Sequence, residues 1–325
     1  MKKICFQVGV ILYLLAFFAL TDIFLYTHFT RRLQNPFGKE MQAKSIELAK
    51  FLPFDENSKI VRLSEKIPDD EKFSENDDLP VLDGATALFP VYSAFFDSVY
   101  PKSACNFDGE NFSEASKIQK RNTAGAFKAI VEKKADIIFC AEPSQKQLDF
   151  AVKNGVELSL IPIGCEAFVF LVNKSNPVDS LTVSQIKEIY SGKIGSWREV
   201  GGDGSKISAL LRPEGSGSQT AMLSFMGGEK IQPKHGNYAG RALGYSFRYY
   251  VEGIVESGNI KLLSLNGIAP TKENIRSKKY PITANFYAIC RKSDEQNANI
   301  QKVIQFALSE KGQEIIEKTG YVGLN

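Results

Sequence analysis

Histidine is almost missing from this chain: His28 and His235 are the only two in 325 residues. That leaves hardly any candidate for a Ser/His or Cys/His catalytic pair and none for a histidine-based zinc site. Cysteine is sparse as well. Cys5, Cys105, Cys140, Cys165 and Cys290 show no CxxC or comparable spacing, so neither a metal knuckle nor a redox pair is expected. Cys140 and Cys290 each end an apolar run and read as single buried thiols, while disulfide pairing among the cysteines stays open. An excess of one charge is also lacking. The formal net charge is +3, but residues 1–33 hold Lys2, Lys3, Arg31 and Arg32 against Asp22, which leaves 36 basic and 36 acidic residues in the rest. A neutral body argues against a nucleic-acid surface, so any anion would have to be bound by local donors. No internal repeat or low-complexity tract is visible. The 43% hydrophobic and 24% charged content is that of a globular protein with room for two lobes.

Only one long apolar run is present. Ile4–Leu20 follows Lys2 and Lys3, and Ile23–Tyr26 extends it. It is long for a signal-peptide core, no small-x-small cleavage site follows, and no cysteine stands behind it to carry lipid. Residues 1–33 are therefore expected to be an uncleaved membrane anchor. Basic residues flank both ends, so charge alone does not choose the side of the membrane that the body faces. Residues 34–78 read as a tether and acidic linker, partly packed on the body, with a short helix over 45–52 and a short strand over 59–63. The acidic run from Asp69-Asp70-Glu71 to Asp77-Asp78 reads as a solvated loop.

From Leu79 onward, strand and helix signals alternate, which predicts an α/β architecture. The organising stretch is Leu211-Arg212-Pro213-Glu214-Gly215-Ser216-Gly217-Ser218. Ile207, Ala209 and Leu211 alternate like a strand, the two glycines permit a tight turn, and Ser218–Met226 reads as a helix. At such a junction the first helical N–H groups have no carbonyl partners, so Ser216, Gly217 and Ser218 can present donors to one small anion. Arg212 is close enough in sequence to add a forked cationic donor. The same segment taken alone also fits a surface turn with Ser218 as an ordinary cap and Arg212 solvated. The Lys that completes a nucleotide-binding P-loop is missing, which disfavours a nucleoside triphosphate.

Two further turns have the same form. Asp83-Gly84-Ala85-Thr86 precedes a helix over 91–99, and Asn122-Thr123-Ala124-Gly125 opens a helix running through Ile130 and Val131. The strand Asp136–Cys140 ends at Ala141-Glu142-Pro143-Ser144, before a helix over 145–154. These turns sit at the carboxyl ends of strands, where open α/β sheets collect ligands. Further strands are predicted over 167–173, 243–247, 260–265 and 285–290, and helices over 182–191, 300–308 and 313–318. Trp197 reads as a packing anchor, and Thr271 as a helix cap.

In order and spacing these segments, together with Leu181-Thr182 to Ile194 and Ala242-Leu243-Gly244-Tyr245, resemble the phosphate-binding substrate proteins of ABC transporters. The resemblance runs from about residue 79 to the end. It implies a two-lobed, type II periplasmic-binding-protein-like α/β fold with two hinge strands, with lobe 1 from 79–166 plus 283–325 and lobe 2 from 167–282. Residues 167–173 would cross between lobes and 285–290 would lie near the return. Carried over position by position, Thr86, the Ala87 backbone and Thr123 would supply donors from lobe 1, and Arg212, Ser216, Gly217 and Ser218 from lobe 2. Glu142 falls where the family usually has Asp, an acceptor for the proton of hydrogen phosphate. The implied protein captures inorganic phosphate outside the cytoplasm and passes it to an ABC transporter permease; no cofactor or metal is called for. It departs from the family in Glu142 and in a short 227–241 stretch. These departures and the anchor support a competing expectation, a membrane-anchored sensor or interaction module with an altered or degenerate oxyanion pocket. An enzyme is not expected, because no nucleophile–base pair, metal cluster or P-loop Lys accompanies the loop.

Overall fold

The structure, a computed structural model, describes residues 48–233, 241–255 and 258–324. The expected anchor, His28, His235, Cys5 and residues 234–240 of the short 227–241 stretch lie outside the described residues. Among the described residues, no helix is long and apolar enough to cross a membrane.

The first described segment departs from expectation. Leu48–Phe51 and Asp69–Glu71 are single 3-10 turns, and no strand forms over 59–63. Pro53 forbids an extension of the first turn, because the residue before a proline is pushed out of the helical region. The segment instead holds on by isolated apolar anchors: Phe51, Ile60, Ile67 and Phe73 are buried in the core that also takes in Phe95, Phe96 and Phe306.

The alternating elements then follow. β1 (Leu82–Gly84) leads through a 3-10 turn, Thr86–Leu88, into α1 (Phe89–Val99); α2 is Asn122–Val131, β2 Ile137–Ala141 and α3 Gln145–Lys153. β3 (Leu158–Asn173) is followed by β4 (Ser180–Leu181), α4 (Val183–Tyr190), β5 (Ser208–Ala209), α5 (Gly217–Met226) and β6 (Ala242–Phe247). β7 (Ile260–Leu262), β8 (Ser264–Leu265), α6 (Lys272–Arg276), β9 (Thr283–Arg291), α7 (Ala298–Leu308) and α8 (Glu310–Thr319) complete the chain. Helix starts are set by local chemistry. Ser144 and Thr182 each accept from the third helical N–H while Gln147 and Gln185 reach back, two capping boxes that hold α3 and α4.

One sheet runs through the molecule in the order β1-β2-β9-β3-β6-β5, with β7 also on β3. β3 makes this possible. Its first part, Leu158–Ala167, pairs antiparallel with β9, and Phe168–Val172 then pairs with β6. It therefore begins nine residues before the strand expected over 167–173, because Pro162 and Gly164 weaken the strand signal in the sequence. Here they mark a shift of register against β9. Apolar side chains gather on either side of this crossing. On one side a core lies around α1, α7 and α8 and a smaller one around Phe127, Ile130 and Ile138; on the other a core holds Phe168, Phe170, Tyr190, Trp197 and Tyr245. Trp197 is fully buried and its indole N–H donates to the Arg241 carbonyl at 3.1 Å, a packing anchor. The described cysteines, Cys105, Cys140, Cys165 and Cys290, are free thiols.

Gly164 marks a close approach. A Cβ there would stand 2.4 Å from Phe286 Cζ and 2.8 Å from the Val322 carbonyl oxygen. Gly164→Ala is expected to cost about 1–3 kcal/mol, as overpacking does. A lowered urea midpoint with unchanged slope is the expected reading; an unchanged midpoint would show that Phe286 swings away freely.

Candidate functional site

Three helix starts open onto one cavity of about 330 Å³. At the first, Thr86 and Ala87 begin the turn that feeds α1, and Ala85 before them has no side chain able to cap. At the second, Asn122 takes a positive φ of 64° and its side-chain oxygen accepts from Gly125 N–H at 3.1 Å, leaving Thr123 and Ala124 in the first turn without an intrahelical acceptor. At the third, Ser216 caps α5 by accepting from Gln219 N–H at 3.2 Å, while Gly217 and Ser218 supply the first N–H groups. The cap is thus Ser216 and not Ser218. Each helix start carries partial positive charge, and together they make a focus for one anion.

Arg212 lines the same cavity and is only 7% exposed. Its Nε and Nη1 have no hydrogen-bond partner among the described residues. Its backbone is held: Arg212 N–H donates to Tyr245 Oη at 3.0 Å and to Gln219 Oε1 at 3.2 Å, and Tyr245 Oη itself donates to Gln219. A rigid main chain thus presents a buried, unsatisfied cation. Burying such a group without a partner is costly, and an anion in the cavity would remove the cost.

The walls meet closely. The position of a Cβ on Gly217 lies 3.6 Å from Thr123 Oγ1, and one on Gly215 lies 3.5 Å from Ala124 Cβ. Gln147 Nε2 donates to the Gly215 carbonyl at 3.4 Å, and Lys146 pairs with Glu214. Both charged side chains are well exposed, so this last pair contributes little.

Thr86, Ala87, Thr123, Arg212, Ser216, Gly217 and Ser218 all line the cavity. Glu142 does not: it is exposed, beyond the end of β2. Successive side chains in extended chain point to opposite sides, so with Ala141 on the cavity the next residue turns outward. Two carboxylates do reach the cavity, the exposed Glu214 and the buried Glu166, near the middle of β3. Glu166 accepts from Arg248 Nε at 3.0 Å and Nη2 at 3.1 Å, and from the N–H groups of Ala167 and Tyr249 at 2.8 and 3.2 Å. Arg248 Nη2 also donates to the Gly320 carbonyl. Burial pushes the Glu166 carboxyl up to about 7 against the pull of Arg248. A charged residue directly before the apolar run 167–172 was the available signal for it. Asp83, fully buried at the end of β1, accepts from Arg121 Nη1 at 2.7 Å and Arg121 N–H at 2.9 Å, and so positions the start of α2.

A sheet shared by cores on either side of its crossing, with helix starts and a buried cation facing a cavity between them, defines a periplasmic-binding-protein-like fold. The PBP superfamily domain matches residues 82–311. The chain belongs to the PBP superfamily, a family of binding proteins and not of enzymes. Among relatives, it is 26% identical over 181 residues to the phosphate-binding protein PstS of Borreliella burgdorferi, covering 49% of this chain and 63% of that protein. It is 24% identical over 287 residues to protein SphX of Synechococcus elongatus, covering 76% of this chain and 84% of the other. The chain thus spans a little under two-thirds of the Borreliella protein. Among solved structures it is similar to one from Clostridium perfringens described as a phosphate ABC transporter substrate-binding protein with bound phosphate. That match has a TM-score of 0.58 and 22% identity, covering 76% of this chain and 100% of that one. An ABC-type phosphate transport receptor from Vibrio cholerae matches with a TM-score of 0.54 and 19% identity, covering 75% and 99%.

Proposed function

We propose that this protein captures inorganic phosphate in the cavity between its two halves and presents it to an ABC transporter permease. In this reading residues 1–33 anchor it and the body works on the extracytoplasmic side. The observation that carries the reading is Arg212, a buried guanidinium with two nitrogens that have no partner among the described residues, beside three helix starts. Thr86, Ala87, Thr123, Ser216, Gly217 and Ser218 supply the remaining donors. The names of the relatives point the same way, since the Borreliella protein is a phosphate-binding protein. Calorimetric titration of the full-length chain with phosphate tests it. Saturable binding at one site per chain is expected; a folded protein that gives no heat at any phosphate concentration overturns it.

A second reading, a membrane-anchored sensor for another oxyanion, is favoured by the outward position of Glu142. The two converge on one experiment. Glu142→Gln is expected to change neither phosphate affinity nor the ratio of phosphate to sulfate affinity by more than about twofold, because rim charges contribute little at equilibrium. A collapse of that ratio would mean that Glu142 turns inward when ligand binds.

A further inference from the structure

The cavity is larger than the ion proposed for it. At about 30 Å³ for each water-sized group, the four oxygens of phosphate account for roughly 120 Å³ at most. The cavity is about 330 Å³. The remainder is not built for more oxygens, because most of its wall is carbon, supplied by Leu88, Phe247, Tyr250, Phe286 and Tyr321. The Tyr321 hydroxyl donates to the Ala87 carbonyl, so it is already engaged.

Neither carboxylate among the described lining residues is held for the proton of hydrogen phosphate, although the hydroxyls of Thr86, Thr123, Ser218 and Ser246 can accept. The two carboxylates on the cavity are Glu166 and Glu214. Both oxygens of Glu166 are taken by Arg248 and by backbone N–H groups, and Glu214 is exposed and paired with Lys146. What remains is a set of donors with an apolar lining directly beside it, the Phe247 ring lying 3.7 Å from the position of a Cβ on Gly217. A group that matches has three unprotonated oxygens on one side and, on the fourth, carbon attached directly or through an ester oxygen.

We infer that the site accepts a monosubstituted phosphoryl group, R–PO₃²⁻ or R–O–PO₃²⁻ with a small apolar R, in preference to phosphate itself. The phosphoryl oxygens take Arg212 and the starts of α1, α2 and α5, and R fills the chamber between Leu88, Phe247 and Phe286. This rests on the oxyanion reading of the same cavity and deepens it by naming the ligand class. Burial of R adds affinity in proportion to its apolar area.

Titration of the full-length chain with phosphate, phenylphosphonate and glycerol 3-phosphate tests the inference, beside Ala284→Phe and Arg212→Ala. Ala284 lines the chamber from β9 and a ring there fills it. Phenylphosphonate is expected to bind at least about tenfold more tightly than phosphate, and more tightly than the polar glycerol 3-phosphate. Ala284→Phe should remove that advantage while phosphate binding persists, which also shows that the variant is folded; Arg212→Ala should weaken all three. Phosphate binding as tightly as phenylphosphonate overturns the inference and leaves the phosphate reading standing. A preference for glycerol 3-phosphate overturns the apolar assignment of R. A preference for phenylphosphonate that survives in Ala284→Phe overturns the placement of R. Failure of every ligand to bind a folded protein overturns both readings together.

Discussion

Replacing Arg212 with methionine is expected to raise the thermal midpoint of the ligand-free protein and to remove most of its rise on adding phosphate. The two halves of this result have one cause. Without ligand, Nε and Nη1 of Arg212 are buried and have no partner among the described residues. An unsatisfied buried donor costs about 1–3 kcal/mol, and more when charged. Methionine fills similar space without that cost, and each kcal/mol is worth about 2–4 °C in a protein of this size. With ligand, the arginine becomes the main cation of the site. Removing one partner of a buried charge pair costs about 2–5 kcal/mol of binding, or upward of thirtyfold in affinity. Phosphate at a hundredfold excess over its dissociation constant stabilises the parent by about 2.7 kcal/mol; at the same concentration a thirtyfold loss of affinity leaves the variant about 0.9 kcal/mol, and larger losses leave less. Scanning fluorimetry with and without phosphate reads both effects. A variant that is less stable without ligand yet keeps the full ligand-induced shift would show Arg212 to be a structural residue.

The second large effect belongs to Arg248→Met. Glu166 then stays behind as a buried carboxylate with no cation, and breaking a buried pair in this way costs about 3–5 kcal/mol. The deficit should depend on pH. In the parent, burial already holds this carboxyl at about 7, above its ordinary 4.5. A group raised in this way contributes stability that is complete below about pH 4.5 and is lost as pH rises through 7. Removing Arg248 raises the carboxyl further and carries the loss to higher pH. Urea unfolding of Arg248→Met should therefore show a large deficit at pH 8 and a much smaller one at pH 5. The double variant Glu166→Gln/Arg248→Met should recover most of the stability at pH 8, because no charge is left unpaired. An equal deficit at both pH values would place the damage in lost packing of the arginine stem rather than in the orphaned charge.

The parts of this molecule that were legible from residues alone are those with local causes. The turn from Arg212 to Ser218 and the helix after it follow from glycine and serine chemistry within ten residues. The starts at Thr86 and Thr123 are of the same kind, and all line the cavity. What depended on distant chain was not legible. Arg248 lies 82 residues from the Glu166 it neutralises, so sequence spacing carries no trace of the pair. Leu158–Gly164 becomes strand because β9 is beside it, in spite of Pro162 and Gly164. β5 shrinks to Ser208–Ala209 although its alternation runs longer, since only β6 offers it an edge. Glu142 has the right residue type at the right loop, but its direction is set by where β2 stops. The size and carbon lining of the cavity depend on Phe286 and Tyr321 arriving from the far end of the chain.

The place of β9 in the sheet has a consequence for synthesis on the ribosome. β9 lies between β2 and β3, yet it is made more than a hundred residues after either. Until Thr283–Arg291 emerges, β2 and the first part of β3 both present open edges, the kind that recruit foreign strands. The core around Phe168 and Trp197 has no such wait, since apart from Val322 its buried members come from residues 167–280. The nascent chain therefore completes its later-made core first. The earlier-made one stays unfinished, with a gap one strand wide, until the last part of the message is read.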